Sequence, residues 1–379
     1  MILGVLVSRA SRSLAYGALA VVLAQALASK GLSPVAIGAV VTVALMSGAA
    51  FSAFSGILAR RFGARTTLAG SGLVMALAAA LLAANQPAIV LASLLGVVSP
   101  GGQDVGPFAA IEQVVLASDG DALTRRLSWY NLASAGALAV GALLAAVLPF
   151  DGVLLVYGAA GIIVALVASR IPDVRLEPPP ATATLRHRFG VVEQLSALFA
   201  LDAFAGGFVV QAFLAYWFSL RFGVGPQTIG PLLFGANVLA AGSYLLAHRV
   251  AARIGLLRTM VFTHLPSNVL LCLVPLMPTL PLAAAVLLAR FALSQMDVPT
   301  RQAYTLSLVP AHDRARAAGV TAAVRPAAAS VAPLLAGVAF QVAALGLPFV
   351  LAGGIKIVYD LALLATFRGV ALDDPSSAR

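Results

Sequence analysis

The chain has 379 residues, 61% of them hydrophobic and only 10% charged, with a mean hydropathy of +0.99. Soluble domains carry roughly 25% charged residues, so a soluble fold of this size is excluded and most of the chain lies in lipid. The formal net charge is +10, and the single cysteine, Cys272, excludes an internal disulfide and a multi-cysteine metal site.

In chain order, apolar runs of spanning length fall at about 4–29, 35–59, 66–84, 88–117, 125–148 and 153–170. A second set follows at about 190–219, 227–248, 258–276, 281–309, 315–341 and 347–367. In the first run Arg9, Arg12 and Ala26-Leu27-Ala28 also fit a signal peptide with its cleavage site. The run is long enough to span, and it is taken as the first helix. The proline-rich residues 172–189 are too short for a domain and read as a cytoplasmic linker. The expectation is an all-α membrane protein of twelve transmembrane helices in two pseudo-symmetric bundles, residues 1–171 and 190–379.

With both termini inside, eighteen arginines fall on inner loops and helix ends, Arg9 and Arg12 among them. Only Lys30 and Arg221 fall outside, while Arg290, Arg301, Arg325 and Lys356 lie within apolar runs. This asymmetry orients the chain and accounts for its basic charge without a nucleic-acid partner.

The fourth run carries Asp104 and Glu112 beside Gln103 and Gln113, and Pro100, Gly101, Gly102 and Pro107 interrupt it. A charge at mid-bilayer costs at least ~2.5 kcal/mol, so such residues face a cavity or a partner. A shift of 192 residues brings Gln295, Asp297 and Pro299 of the tenth run into a similar place. The same shift lays Pro34, Ile37 and Gly38 on Pro226, Ile229 and Gly230, and Arg61, Gly63 and Thr67 on Arg253, Gly255 and Thr259. Duplicated halves around a midplane site are a transporter architecture.

Residues 56–65, Gly-Ile-Leu-Ala-Arg-Arg-Phe-Gly-Ala-Arg, resemble the signature loop of the major facilitator superfamily between its second and third helices. Gly56, Leu58, Ala59, Arg61, Gly63 and Arg65 match, whereas Arg60 stands where the family has Asp and Ala64 replaces the first of its closing basic pair. In the family that Asp helps latch the halves on the cytoplasmic side. Residues 106–113, running on to Trp129-Tyr130-Asn131, and residues 297–304 resemble a broad group of bacterial facilitators. The fifth helix lacks the Gly-Pro-rich motif of many drug/proton antiporters.

The resemblance implies that helices 1, 4, 7 and 10 line a central cavity. Asp104, Asp202 and Asp297 then lie about halfway along three of them and suggest a proton or cation site. As structural glue instead, Asp297 would pair with Arg301 at i, i+4. Glu112 lies nearer the cytoplasm and suits either a proton relay or a gate contact to Arg9, Arg12 or the Arg125-Arg126 pair. Lys356 and Asp360 are also i, i+4 and read as a structural pair, and His264 reads as packed. Tyr16, Gln25, Gln103, Gln211, Gln295 and Tyr304 are candidates for hydrogen bonds to cargo.

No phosphate loop, His-Glu-x-x-His or Gly-x-Ser-x-Gly occurs, so neither an ATP-driven pump nor a membrane hydrolase is indicated. The expectation is a monomeric secondary transporter of a bacterial inner membrane, with cytoplasmic termini and no cofactor or resident metal. It would export a small organic molecule against protons by alternating access. A cation or metal-ion exporter on the same fold is the alternative, and a membrane enzyme or sensor the remote one.

Overall fold

A computed structural model describes residues 2–117, 123–171, 189–308, 321 and 324–370. These residues are helical with no β-strand among them. The linker expected at 172–189, apart from Phe189, lies outside the described residues, as do His312, Arg314 and Arg316.

The N-terminal half contains α1 (Ile2–Ser29), α2 (Pro34–Phe62), α3 (Ala64–Ala83), α4 (Gln86–Leu94), α5 (Phe108–Ala117), α6 (Leu123–Leu144) and α7 (Phe150–Ala168). The C-terminal half contains α8 (Phe189–Gly207), α9 (Gln211–Phe222), α10 (Pro226–Ile254), α11 (Leu256–Leu273), α12 (Leu280–Ser294) and α13 (Asp297–Ser307). It closes with α14 (Ala332–Gln341) and α15 (Leu347–Phe367).

Ten helical stretches among the described residues are long and apolar enough to cross a membrane. Two of the twelve expected spans are missing from that set for different reasons. The fourth is interrupted, because Pro100 and Pro107 lack amide donors and Gly102 and Gly106 take φ of 72° and 79°. The eleventh begins in residues outside the described set. The seventh and tenth spans each join two helices across a short break, at 208–210 and 295–296.

The repeat seen at a shift of 192 has a geometric counterpart. Gly63, the single residue between α2 and α3, takes φ 84°, and Gly255, between α10 and α11, takes φ 85°. That region favours glycine because no Cβ is present to clash. The Thr67 hydroxyl donates to the Gly63 carbonyl at 2.8 Å, and Thr259 donates to Gly255 at 2.7 Å. Each half thus makes this tight turn by the same device.

The chain divides into two compact units. The first holds Met1–Pro180 with Val210–Asn237 and Pro333–Ala343, and the second holds Ala181–Val209, Val238–Ala332 and Ala344–Arg379. In the first unit α1 is the most enclosed element, with every residue from Ala15 to Ala24 buried. It meets α6 backbone to backbone, since a Cβ on Gly17 would strike the Leu138 carbonyl and one on Gly141 the Leu14 carbonyl. Small residues at helix contacts supply the close packing that holds helices together in lipid. In the second unit Leu195, Phe199, Met260, Tyr304, Tyr359 and Phe367 belong to one buried cluster.

Candidate transport site

The turn at Gly63 places the signature loop at a helix boundary. Arg60 and Arg61 are exposed there, and Gly63 donates its amide to Ala59 at 3.0 Å. Gly56 faces Arg60, and Arg65 Nε donates to the Ile171 carbonyl at 2.9 Å, just past the end of α7. A cation at a helix C-terminus satisfies its last carbonyls and its dipole.

The first unit encloses a charge network built on Arg12. Its Nη1 and Nη2 donate to the two oxygens of Glu112, both at 2.7 Å, and both residues are 0% exposed. Nε and Nη2 also reach Asp104 at 3.3 Å, and Arg9 pairs with the same carboxylate. The Ser8 and Tyr130 hydroxyls both donate to Glu112, at 2.7 Å and 2.8 Å, while the Arg12 guanidinium lies 4.4 Å from the Phe108 ring centroid. Bidentate pairing and added hydroxyl donors satisfy the oxygens of an enclosed carboxylate.

Arg12 does not belong with the inner loops and helix ends, where the sequence placed it. It sits about 15 Å along α1, at 1.5 Å per residue, and is fully buried. The Glu112 contact is with Arg12, whereas Arg126 donates to the Leu116 carbonyl at 3.1 Å. The break at residues 95–107 lets Asp104 and Glu112 share one arginine, which an unbroken helix would have kept apart.

The second unit centres on Asp202 in α8. It accepts from Lys356 of α15, from Arg325 at 3.0 Å and from Arg301 at 3.4 Å. Arg301 Nη1 also donates to Asp297 one turn back, at 2.7 Å, so one nitrogen serves both carboxylates. Behind Asp202 stands His264 of α11, whose Nε2 is 3.8 Å from it and whose Nδ1 is 2.9 Å from Asp360. Asn268 Nδ2 donates to Asp360 at 2.9 Å. Lys356 and Asp360 therefore do not form the i, i+4 pair that their spacing suggested; each takes a partner on another helix. His264 is packed, as expected, but within a polar network.

The polar candidates separate. Gln25 Nε2 donates to the Ala215 carbonyl at 3.3 Å, and Gln295 accepts from Tyr244 at 3.1 Å. The Gln103 side chain is exposed, and its carbonyl accepts from Ser99. Gln211 lies against Gly102, and the Ala212 amide donates to the Pro100 carbonyl at 3.0 Å, so the broken fourth and seventh spans meet. Tyr16 Oη, Tyr304 Oη and Gln211 Nε2 are buried without a hydrogen-bond partner. The sequence had offered Arg9 and Arg12 as contacts for Glu112, and Arg12 makes that contact; nothing in the pattern pointed to Lys356 or His264 as partners of Asp202 beyond their being polar in apolar runs.

Interrupted apolar spans, a repeated glycine turn and two buried charge networks are the build of a polytopic membrane transporter. The family model of the Major Facilitator Superfamily matches residues 1–295, and the chain belongs to that superfamily. It is an integral membrane protein. Among solved structures its fold is similar to that of the nucleoside transporter NupG (D323A mutant), with a TM-score of 0.79 at 14% identity over 97% of this chain and 99% of that one. The D-xylose-proton symporter gives 0.69 at 15% identity over 96% of each chain. A bacterial homologue of the iron transporter ferroportin gives 0.69 at 12% identity over 96% and 97%. A Saccharomyces cerevisiae relative, the uncharacterized membrane protein YJR124C, is 28% identical over 181 residues, or 48% of this chain and 40% of that protein.

Proposed function

We propose that the protein is a monomeric, proton-coupled secondary transporter of a bacterial inner membrane. Its termini are cytoplasmic, and it exports a small organic molecule by alternating access of two six-helix bundles, 1–171 and 190–379. The observation that carries the coupling is Arg301 Nη1 shared between Asp297 and Asp202. Buried ion pairs are weak contributors to stability because desolvation offsets their attraction, which favours a working role. Among the described residues Asp297 meets one cation, Arg301, while Asp202 meets three, Arg301, Arg325 and Lys356. A proton arriving on Asp297 would release Arg301 to Asp202 alone, and its departure would restore the shared state. Such partner exchange gives the two discrete arrangements that coupling requires.

A cation or metal-ion cargo is not favoured. Asp104, Asp202 and Asp297 are each held by arginine or lysine side chains.

The test uses everted membrane vesicles energised to an acid interior and reported by an acridine dye. They are challenged with a panel of organic acids, amines and neutral compounds. An exported compound recovers the fluorescence in the wild type, and recovery is lost in Asp297→Asn while downhill exchange persists. Full recovery in Asp297→Asn refutes the assignment of the carrier.

A further inference from the structure

The non-exposed charges of the second unit do not balance. Among its described residues they comprise three carboxylates, Asp202, Asp297 and Asp360, and four permanent cations, Arg290, Arg301, Arg325 and Lys356. Leaving His264 aside, these four cations stand against three carboxylates, and the contacts single one cation out. Arg301, Arg325 and Lys356 all reach Asp202. Arg290 pairs with no carboxylate among the described residues. Its Nε is buried without a hydrogen-bond partner, and its guanidinium lies 4.9 Å from the centroid of its neighbour Phe291.

Arg290 is not at a membrane edge. It is ten residues into α12, about 15 Å from the start of the helix, and the break at 295–296 separates it from Asp297. The Ser267 hydroxyl of α11 lies 3.4 Å from its carbonyl. Asp202 and Asp297 act on its charge from a distance, but a partly accessible guanidinium at that depth with no direct ion pair among the described residues is expensive to keep in an apolar interior. Guanidinium is also the side chain best suited to a planar or tetrahedral anion, offering a fixed fork of donors.

We propose that Arg290 binds a negatively charged group of the cargo, so that the exported molecule is an organic anion bearing a carboxylate, phosphate or sulfonate. This rests on the transporter reading above and narrows its substrate class. Phe291 and the neighbouring apolar wall of α12 would favour an anion with an apolar or aromatic body.

Purified full-length protein, delipidated in neutral detergent, is probed by thermal shift with sodium benzoate, phenyl phosphate and benzenesulfonate. Benzyltrimethylammonium chloride, benzyl alcohol and sodium chloride serve as controls, and phosphatidylglycerol is a separate arm. The expected result is stabilisation by at least one aryl anion, weakened at least tenfold in apparent affinity in Arg290→Gln and partly kept in Arg290→Lys. Without ligand, Arg290→Gln is expected to melt at a higher temperature than wild type, because an unpaired charge has been removed. A lower unliganded Tm in that variant makes Arg290 structural and overturns the proposal. So does an anion response that survives in Arg290→Gln, a response to phosphatidylglycerol or the cation alone, or no response to any anion. Anion exchange in proteoliposomes that depends on Arg290 but ignores the pH gradient would remove proton coupling and leave the anion site standing.

Discussion

Gly38 of α2 and Gly337 of α14 stand backbone against backbone. A Cβ on Gly337 would lie 2.5 Å from the Pro34 carbonyl oxygen, and one on Gly38 would lie 2.7 Å from that of Pro333. The arrangement is repeated by Gly230, the residue 192 positions after Gly38, whose Cβ would lie 2.6 Å from the Ala142 carbonyl of α6. All of these residues belong to the first unit.

Because the obstructing atoms are backbone, a larger side chain at either position must separate the helices. Gly337→Val and Gly230→Val are each expected to abolish transport while leaving the protein folded. Reaction of a cysteine at Thr42, which accepts from the Leu334 amide at 3.0 Å, should become several-fold faster in Gly337→Val. An unchanged labelling rate would show that the helices tolerate the bulk.

The Arg12 and Glu112 pair is enclosed on all sides. Removing one partner leaves an uncompensated charge, which costs about 3–5 kcal/mol. Arg12→Gln should therefore lower the Tm of the purified protein sharply, and Arg12→Gln combined with Glu112→Gln should recover much of the loss. Additive losses in the double variant would contradict the pairing.

In the second unit the order of sensitivity follows from partner number. Asp202→Asn leaves Lys356, Arg301 and Arg325 without their common acceptor, whereas Asp297→Asn leaves Arg301 still facing Asp202. Asp202→Asn should be the more destabilising by about 2 kcal/mol or more. Equal denaturation midpoints for the two variants would mean that the cations are screened by something other than Asp202.

Topology is tested in a Cys272→Ala background. A cysteine at Arg61 is expected to react only with a reagent applied from the cytoplasm, and one at Gln86 only from outside. Labelling of both from one side would overturn the orientation drawn from the arginine distribution.

The fold was legible wherever the physics is local. Lipid demands long apolar runs, tight turns demand glycine, and Gly63 with Gly255 could be matched by register alone. The break at Pro100 to Pro107 was also visible, since it is written in residues that cannot continue a helix. The charge networks were less so. Lys356 and Asp360 sit one turn apart, which brings them near but does not choose their partners; Asp202 lies 154 residues from Lys356 and nothing in the spacing links them. Arg12 was misplaced because counting from an end locates a residue along its helix, not within the assembled bundle. Arg290 could be seen as an intramembrane cation, but its lack of an acid is a property of the folded neighbourhood.

The interrupted fourth span also bears on how the chain is made. On the ribosome, α1 is synthesised about a hundred residues before Glu112, the partner that Arg12 needs. Each arginine at mid-bilayer costs about 2.5–3.5 kcal/mol on insertion, and the span that brings the matching acids is itself broken and charged. Neither segment is well dissolved by lipid, and each supplies the polar surroundings that the other lacks. The two must therefore be held at the insertion machinery, or at its protein–lipid boundary, until they can enter together. Biogenesis of the N-terminal half becomes a cooperative step among non-adjacent helices instead of a series of independent insertions.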